Sequence, residues 1–294
     1  MSGERPTIRP VTISRLVEVT DLCKTGPQLD ADISHALDVT HRRARETILE
    51  AERLELITGR DESYTTTEIG TQFLNTIRSQ NWEQVSKLLE QQSPHYDEFI
   101  GLFEEHASLA QEATLDLLEK NAEATRYKYN QTSLDILGTW AQQLGQVQRN
   151  AFTGDFYIVG DGRIDSSFPN TLLSVMDSLD EHAGVNLSKR YFSVPELREH
   201  CGQRLGCRRS DFDNALVTLA KQNIGRVELS GAPIDTGAKD ARYGVKSISV
   251  NDAGKIITTE QSSEQLMRGV EQFGKKYYYV AVYDRDLQFD YGSK

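Results

Sequence analysis

Asp38-Val39-Thr40-His41-Arg42-Arg43-Ala44-Arg45-Glu46-Thr47-Ile48, continuing to Leu54, is the stretch whose reading decides the fold. Ala44, Ile48, Ala51 and Leu54 recur at steps of four, three and three, so one helical face is buried while Arg42, Arg43, Glu46, Glu50 and Arg53 face away. Just upstream, Leu29, Ile33 and Leu37 form a second short apolar stripe, and Thr40 is placed to cap the helix that follows. Two helices on so short a joint must cross steeply. Downstream, Leu56-Ile57-Thr58, a turn through Gly59-Arg60-Asp61-Glu62 and Ser63-Tyr64-Thr65 predict a β-hairpin.

Helix, helix, helix, hairpin resembles the winged helix-turn-helix superfamily, as found in archaeal-type tandem DNA-binding proteins. Thr40 to Leu54 matches its recognition helix and Thr58 to Tyr64 its wing. Thr67 to Leu74 is similar to the helix that follows the wing in many archaeal regulators. The resemblance implies a DNA contact made by the first turn of the recognition helix and by the wing. Winged helices also serve as plain protein-protein modules, so it specifies fold more than function.

At 294 residues the chain is longer than one ordinary domain. No apolar run approaches the roughly 18 residues a membrane span needs, and Met1 to Pro10 is polar, which predicts a cytoplasmic protein. Cys23, Cys201 and Cys207 are too few and too irregular for a disulfide framework. His200, Cys201 and Cys207 lack a fourth zinc ligand nearby in sequence, so ordinary semi-buried thiols are the expectation. A net charge of -11 excludes coating nucleic acid by bulk positive charge, which confines any DNA contact to local basic patches. The excess of acid, with 21 Arg against 12 Lys, is compatible with a salt-adapted archaeal source.

Along the chain, residues 1 to 12 read as a loose arm, and Ile13 to Cys23 as the first helix, stopped by Thr25-Gly26-Pro27. Helices follow over Ile69 to Ser79 and from Trp82 to the break at Ser93-Pro94. A second block repeats the logic. Leu134, Leu137, Trp140 and Leu144 form a stripe with Thr132 or Ser133 placed to cap, and Val147 to Arg149 with Phe156 to Val159 make a hairpin. In a third block, Ser193-Val194-Pro195-Glu196 is a capping box ahead of Leu197, Cys201 and Leu205. Ser210 and Asp213 suggest a cap for the stripe Phe212, Leu216 and Leu219. Val227 to Leu229 and Tyr243 to Val250 predict a third wing, followed by a helix near Glu264 to Phe273 and a strand over Lys275 to Tyr283. The expected fold is mainly α with small β-hairpin wings, an α+β chain of tandem winged units over 1–93, 94–162 and 163–294.

No nucleotide, metalloprotease, redox or serine-hydrolase motif is present, so no enzyme, cofactor or metal is expected, although carboxylates distant in sequence could still meet as a nuclease pair. Gly160-Asp161-Gly162 reads as a turn, and the scattered histidines as surface or helix-face residues. Trp82 and Trp140 fall on core stripes, and Tyr277, Tyr278 and Tyr279 read as core and flank of a strand rather than as a stacking platform.

By the resemblance, the DNA-contacting positions are Thr40, His41, Arg42, Arg45 and Arg60 in the first block. They are Lys128, Gln131, Thr132 and Ser133 in the second, and Arg208, Arg209, Lys239 and Arg242 in the third. Arg suits both guanine and phosphate. The competing reading has Arg42 paired with Glu46 and Arg53 with Glu50 as solvated helix pairs. A double-stranded DNA-binding protein is therefore expected, either a transcription regulator or a recognition subunit in antiviral defence or replication. The alternative is a scaffold docking protein partners in a larger complex, and a homodimer is compatible with both. A continuous positive face across Arg42, Arg45, Arg60, Arg208 and Arg209 favours DNA; isolated basic spots favour the scaffold.

Overall fold

The computed structural model describes residues 5–60, 62–160, 164–182, 191–231, 246–250, 256–260 and 266–290. It is mainly helical with small antiparallel sheets of two or three strands, an α+β fold.

The decisive stretch folds as its pattern predicts. The order is α1 (Ile13–Lys24), β1 (Gln28–Leu29), α2 (Asp30–Ala36), α3 (His41–Arg53), β2 (Ile57–Arg60) and β3 (Ser63–Thr66). Thr40 caps α3 by accepting the Arg43 N–H. Asp38, at φ +50°, turns the chain between α2 and α3. Leu16, Val17, Ile33, Ala44, Ile48, Ala51 and Leu54 are buried together as the core of this block. Each of the larger aliphatics contributes about 1.5–3 kcal/mol on burial. Leu29 departs from expectation: it is exposed and sits in β1 opposite Ser63, because α2 starts only at Asp30. The strands run in the order β1-β3-β2. Gly59 is required there, since a Cβ would lie 2.3 Å from the Tyr64 ring across the hairpin.

The chain continues through α4 (Glu68–Arg78), α5 (Trp82–Gln92), α6 (Pro94–Glu105), β4 (Ser108–Leu109), α7 (Gln111–Ala122), α8 (Gln131–Gln143), β5 (Val147–Arg149) and β6 (Phe156–Ile158). Trp140 is fully buried as expected, while Trp82 is only half-buried. The cap of α8 is neither Thr132 nor Ser133 but Asn130, whose Oδ1 accepts the Ser133 N–H at 2.9 Å. Then come α9 (Phe168–His182), β7 (Phe192–Ser193), α10 (Val194–Leu205), α11 (Arg209–Gln222), β8 (Val227–Ser230), β9 (Lys246–Val250), β10 (Ile256–Glu260), β11 (Val270–Gln272), β12 (Lys275–Tyr277) and β13 (Tyr279–Val282). Ser193 caps α10 as its capping box predicts. For α11 the cap is Arg208, whose N–H is held by Asp211, so the expected roles of Ser210 and Asp213 do not hold.

Among the described residues, helix, strand, helix, helix, strand, strand thus occurs three times, and the three three-stranded sheets share one order: first, third, second. In the third repeat the closing strand is not the expected Tyr243 to Val250, of which 243–245 lie outside the described residues and Lys246–Val250 pairs elsewhere. It is β13, paired with β8 from Tyr279↔Ser230 to Val282↔Val227. Val280 and Ala281 are fully buried there. β9 instead pairs with β10. Of the helix expected near Glu264 to Phe273, residues 264 and 265 lie outside the described residues and Val270–Gln272 is instead β11, which pairs with β12; the long strand expected over Lys275 to Tyr283 is interrupted at Tyr278. By its internal contacts the chain divides into two compact units, residues 1–147 with 245–260, and residues 148–244 with 261–294.

The N-terminal segment is not a loose arm from Arg5 onward. Ile8 and Val11 are buried, and the backbone is held along its length within the first unit. Arg53 donates to Thr7 O at 3.2 Å, the Lys128 N–H to Pro6 O at 2.9 Å, and the Trp140 indole to Val11 O at 2.9 Å. His95 is fully buried rather than on a surface, with Tyr127 and Tyr129 against its ring. Its Nδ1 lies 2.6 Å from Arg53 Nη2 and its Nε2 lies 2.9 Å from Pro6 O. A guanidinium only donates, so Nδ1 accepts and Nε2 carries the hydrogen given to the carbonyl.

The pair Arg53 and Glu50, expected as a solvated couple, is interior. Glu50 is fully buried and takes Arg9 at 3.3 Å and Arg53 at 3.8 Å. Burial pushes its carboxyl above the ordinary glutamate range, and Arg53 and Arg9 pull it back only in part. Removing one partner from a buried ion pair costs about 3–5 kcal/mol, because the remaining charge stays desolvated. Arg53→Met is accordingly expected to lower unfolding free energy by about 3 kcal/mol, read from the urea midpoint. The pH dependence has a defined sign. A carboxyl raised in the folded state adds stability below its unfolded pKa and loses it as pH rises through the folded value. Glu50→Gln should therefore flatten the decline in urea midpoint just above the ordinary glutamate range; superimposable wild-type and variant profiles would contradict this.

Candidate nucleic-acid interface

The first turn of α3 combines a capped helix N-terminus with three outward side chains. Thr40, His41, Arg42 and Arg43 are all exposed. The Arg42 side chain is 89% exposed, and Glu46 lies 3.8 Å from its Nε, too far for a strong hydrogen bond. The partial positive charge of the helix N-terminus adds to the cationic side chains and favours an anion there. Arg43 lies on the same outward face by the helix's periodicity, a contact position that the winged-helix resemblance does not single out.

Arg45 does not join them. It turns back to donate to Asp30 Oδ2 at 2.8 Å and to the Tyr64 hydroxyl at 3.3 Å. Asp30 is buried at the start of α2, and Tyr64 belongs to β3, so one guanidinium ties α2, α3 and the hairpin together. The hydrogen bond to Asp30 holds the Arg45 pKa above its ordinary value. His41 approaches the same Asp30 oxygen at 3.9 Å. Arg60 closes β2 opposite Ser63 at the end of the hairpin; its side chain lies outside the described residues.

In the second block, Lys128, Gln131 and Thr132 are exposed, and Gln131 donates to Asp135 at 3.2 Å. Ser133 is buried, its hydroxyl turned to Asn130 Oδ1, and so is no contact residue. The exposed part of this first turn carries no charge.

In the third block Arg208 is exposed beside the start of α11, whereas Arg209 is turned inward. Arg209 grips both oxygens of the buried Glu199, with Nη2 at 2.7 Å from Oε2, and donates to Arg149 O at 2.8 Å. Glu199 also accepts the Ala151 N–H at 2.8 Å. Arg209 therefore fastens α10 and α11 to the β5–β6 hairpin and is unavailable to a ligand. Lys239 and Arg242 lie outside the described residues. The continuous face across five arginines is thus not formed, since Arg45 and Arg209 are spent on carboxylates within the protein.

Among the described residues no group of His, Cys, Asp and Glu is placed to hold a metal ion. Burial pushes the Cys207 thiol up to about 12, Cys23 up to about 11 and Cys201 further still, so all three stay protonated near neutrality. Burial likewise lowers the pKa of His200.

No family model matches the chain, and no curated protein matches it. Among solved structures it is similar to a magnesium ion-bound SspB crystal structure at a TM-score of 0.40 and 11% identity, over 78% of this chain and 81% of that one. The restriction endonuclease FokI is similar at a TM-score of 0.30 and 10% identity, over 76% of this chain and 48% of that one. Likeness at this level leaves the assignment to the site's own geometry.

The two classes of arginine separate experimentally. Arg45→Ala leaves the buried Asp30 without its charged partner and is expected to destabilise by about 1–2 kcal/mol. Arg42→Ala removes a solvated side chain and should stay within about 0.5 kcal/mol of wild type. Thermal unfolding of both variants side by side checks the contrast.

Proposed function

We propose that this chain is a non-enzymatic double-stranded DNA-binding protein, a transcription regulator or the DNA-recognition subunit of a defence or replication system. The observation that carries the reading is the solvent-facing pair Arg42 and Arg43 at the capped start of α3, supported from behind by the Arg45–Asp30–Tyr64 strut. A helix-turn-helix directs this part of its second helix into the major groove, where guanidinium groups read guanine or hold phosphate. Arg60 closes the β2–β3 hairpin, and this reading takes that hairpin as the wing that meets the DNA backbone. The chain's net charge of -11 gives no bulk attraction, so affinity rests on these few cations and is strongly salt-sensitive.

A protein-docking scaffold is the second reading. It is favoured by the uncharged first turn of α8, where Gln131 and Thr132 face solvent, and by the inward turn of Arg209. In that case the second and third blocks hold protein partners.

Titration of a labelled random-sequence duplex distinguishes the two. With about four phosphates neutralised, the logarithm of the association constant should fall against that of salt with a slope of about -3.6. The double variant Arg42→Ala, Arg43→Ala should reduce that slope by about 2 and weaken binding at least about ten-fold at constant salt. Absence of binding at low salt, or binding indifferent to the double substitution, rejects the DNA reading and leaves the scaffold.

A further inference from the structure

A second feature of the molecule has the chemistry of a nucleic-acid contact and lies outside the three winged repeats. The hairpin β11–β12 is short, with Val270↔Tyr277, Glu271↔Lys276 and Gln272↔Lys275 in register, and its two-residue tip is Phe273-Gly274. Both tip residues have positive φ, +52° and +70°, the signature of a type I′ turn. That turn favours Asn-Gly or Asp-Gly; a bulky residue in the left-handed region is strained. Phe273 nevertheless occupies the position, and with 85% exposure it is not held there by packing. A strained, uncovered aromatic has no stabilising part in the fold, so its use must be sought outside it.

The base of the hairpin, by contrast, is rigid. Val270 is buried in the core of the third block, and Tyr277 packs against the same core. Gly269 allows the closest approach, since a Cβ there would lie 2.2 Å from Tyr277 O. The buried Arg198 holds the segment entering the hairpin, donating to Leu266 O at 3.2 Å and Arg268 O at 2.7 Å, and is itself fixed by Asp213 at 2.6 Å. An aromatic tip on a braced stem is pre-organised and loses little freedom on binding. Among the described residues, Arg268, Lys275 and Lys276 are exposed on and beside the hairpin; Glu271 is exposed opposite Lys276, and the charge of Arg268 also acts on Asp213.

We infer that the Phe273-Gly274 tip of the β11–β12 hairpin is a wedge that inserts between base pairs of duplex DNA, with Lys275, Lys276 and Arg268 on the flanking phosphates. One aromatic on one narrow tip suits a single base step, whereas tracking a single strand takes a row of aromatics along a groove. The inference rests on the duplex-DNA reading above and adds to it a contact that deforms the DNA. A wedge of this kind kinks the duplex, by about 20–90°.

The test uses the full chain, a duplex labelled at both ends for energy transfer, and three variants. Phe273→Asn supplies the preferred turn residue, so it should unfold at the same temperature as wild type or higher. It should lose the kink and bind about 5- to 100-fold more weakly, the range of one lost base–aromatic stack. Phe273→Trp should retain both kink and affinity, while Lys275→Ala with Lys276→Ala should lower the salt slope by about 2. Wild-type binding without a kink, or a Phe273→Asn protein that binds and bends as wild type does, overturns the wedge alone. Binding that also disappears in the Arg42→Ala, Arg43→Ala protein confirms that the underlying reading still stands in that case. No duplex binding by the wild-type chain overturns both.

Discussion

A single buried carboxylate organises the first half of the molecule. Glu50 lies on the inner face of α3, fully removed from water, with Arg53 from its own helix and Arg9 from the N-terminal segment. A charge in that position is tolerable only when paired and hydrogen-bonded, so the segment carrying Arg9 is drawn onto the helix. Once there, its carbonyls become acceptors for Arg53, His95, Lys128 and Trp140, groups drawn from α3, α6, α8 and the approach to α8. The strap is therefore a structural member whose own hydrogen-bonding needs are met by the helices it joins.

The same economy of charge explains why arginines one to three residues apart have opposite roles. Arg42 and Arg43 face solvent, while Arg45 reaches Asp30; Arg208 faces solvent, while Arg209 grips Glu199. In each case the inward residue finds a buried acid on the preceding helix of its repeat and locks the angle between the two helices. The outward residues then stand on a fixed platform, which is what a contact surface requires. The hairpin β11–β12 follows a parallel plan, with Arg198 and Asp213 bracing the base and Phe273 left at the tip.

The three repeats show how a shared topology accommodates different sequence. In the first two blocks the closing strands follow the third helix within a few residues, so the hairpin is local and can be read from alternation and turn residues. In the third, β8 bypasses its sequence neighbours for β13, about fifty residues further on, where Val280 joins the core that holds Phe212, Leu216 and Leu219 of α11. β9 and β10 then pair with each other and belong to the other compact unit.

Most helix positions, the caps of α3 and α10, the order of the first two blocks and the outward first turn of α3 were legible in the sequence. Each depends on periodicity or on hydrogen bonds spanning three or four residues, and Thr40 and Ser193 cap where their neighbours predict. Other features were beyond its reach: that Glu50 and Arg53 are interior, that Arg45 and Arg209 are struts, that residues 5–12 are bound, and which strand closes the third sheet. Arg9 and Glu50 are 41 residues apart, and Arg45 and Asp30 are 15. Even Arg209 and Glu199, only 10 apart, meet across two helices. An arginine looks the same on a helical wheel whether it faces water or a carboxylate from another element. Only the packing of those elements decides which partner is within reach, and with it whether the charge holds the protein together or is left for something outside it.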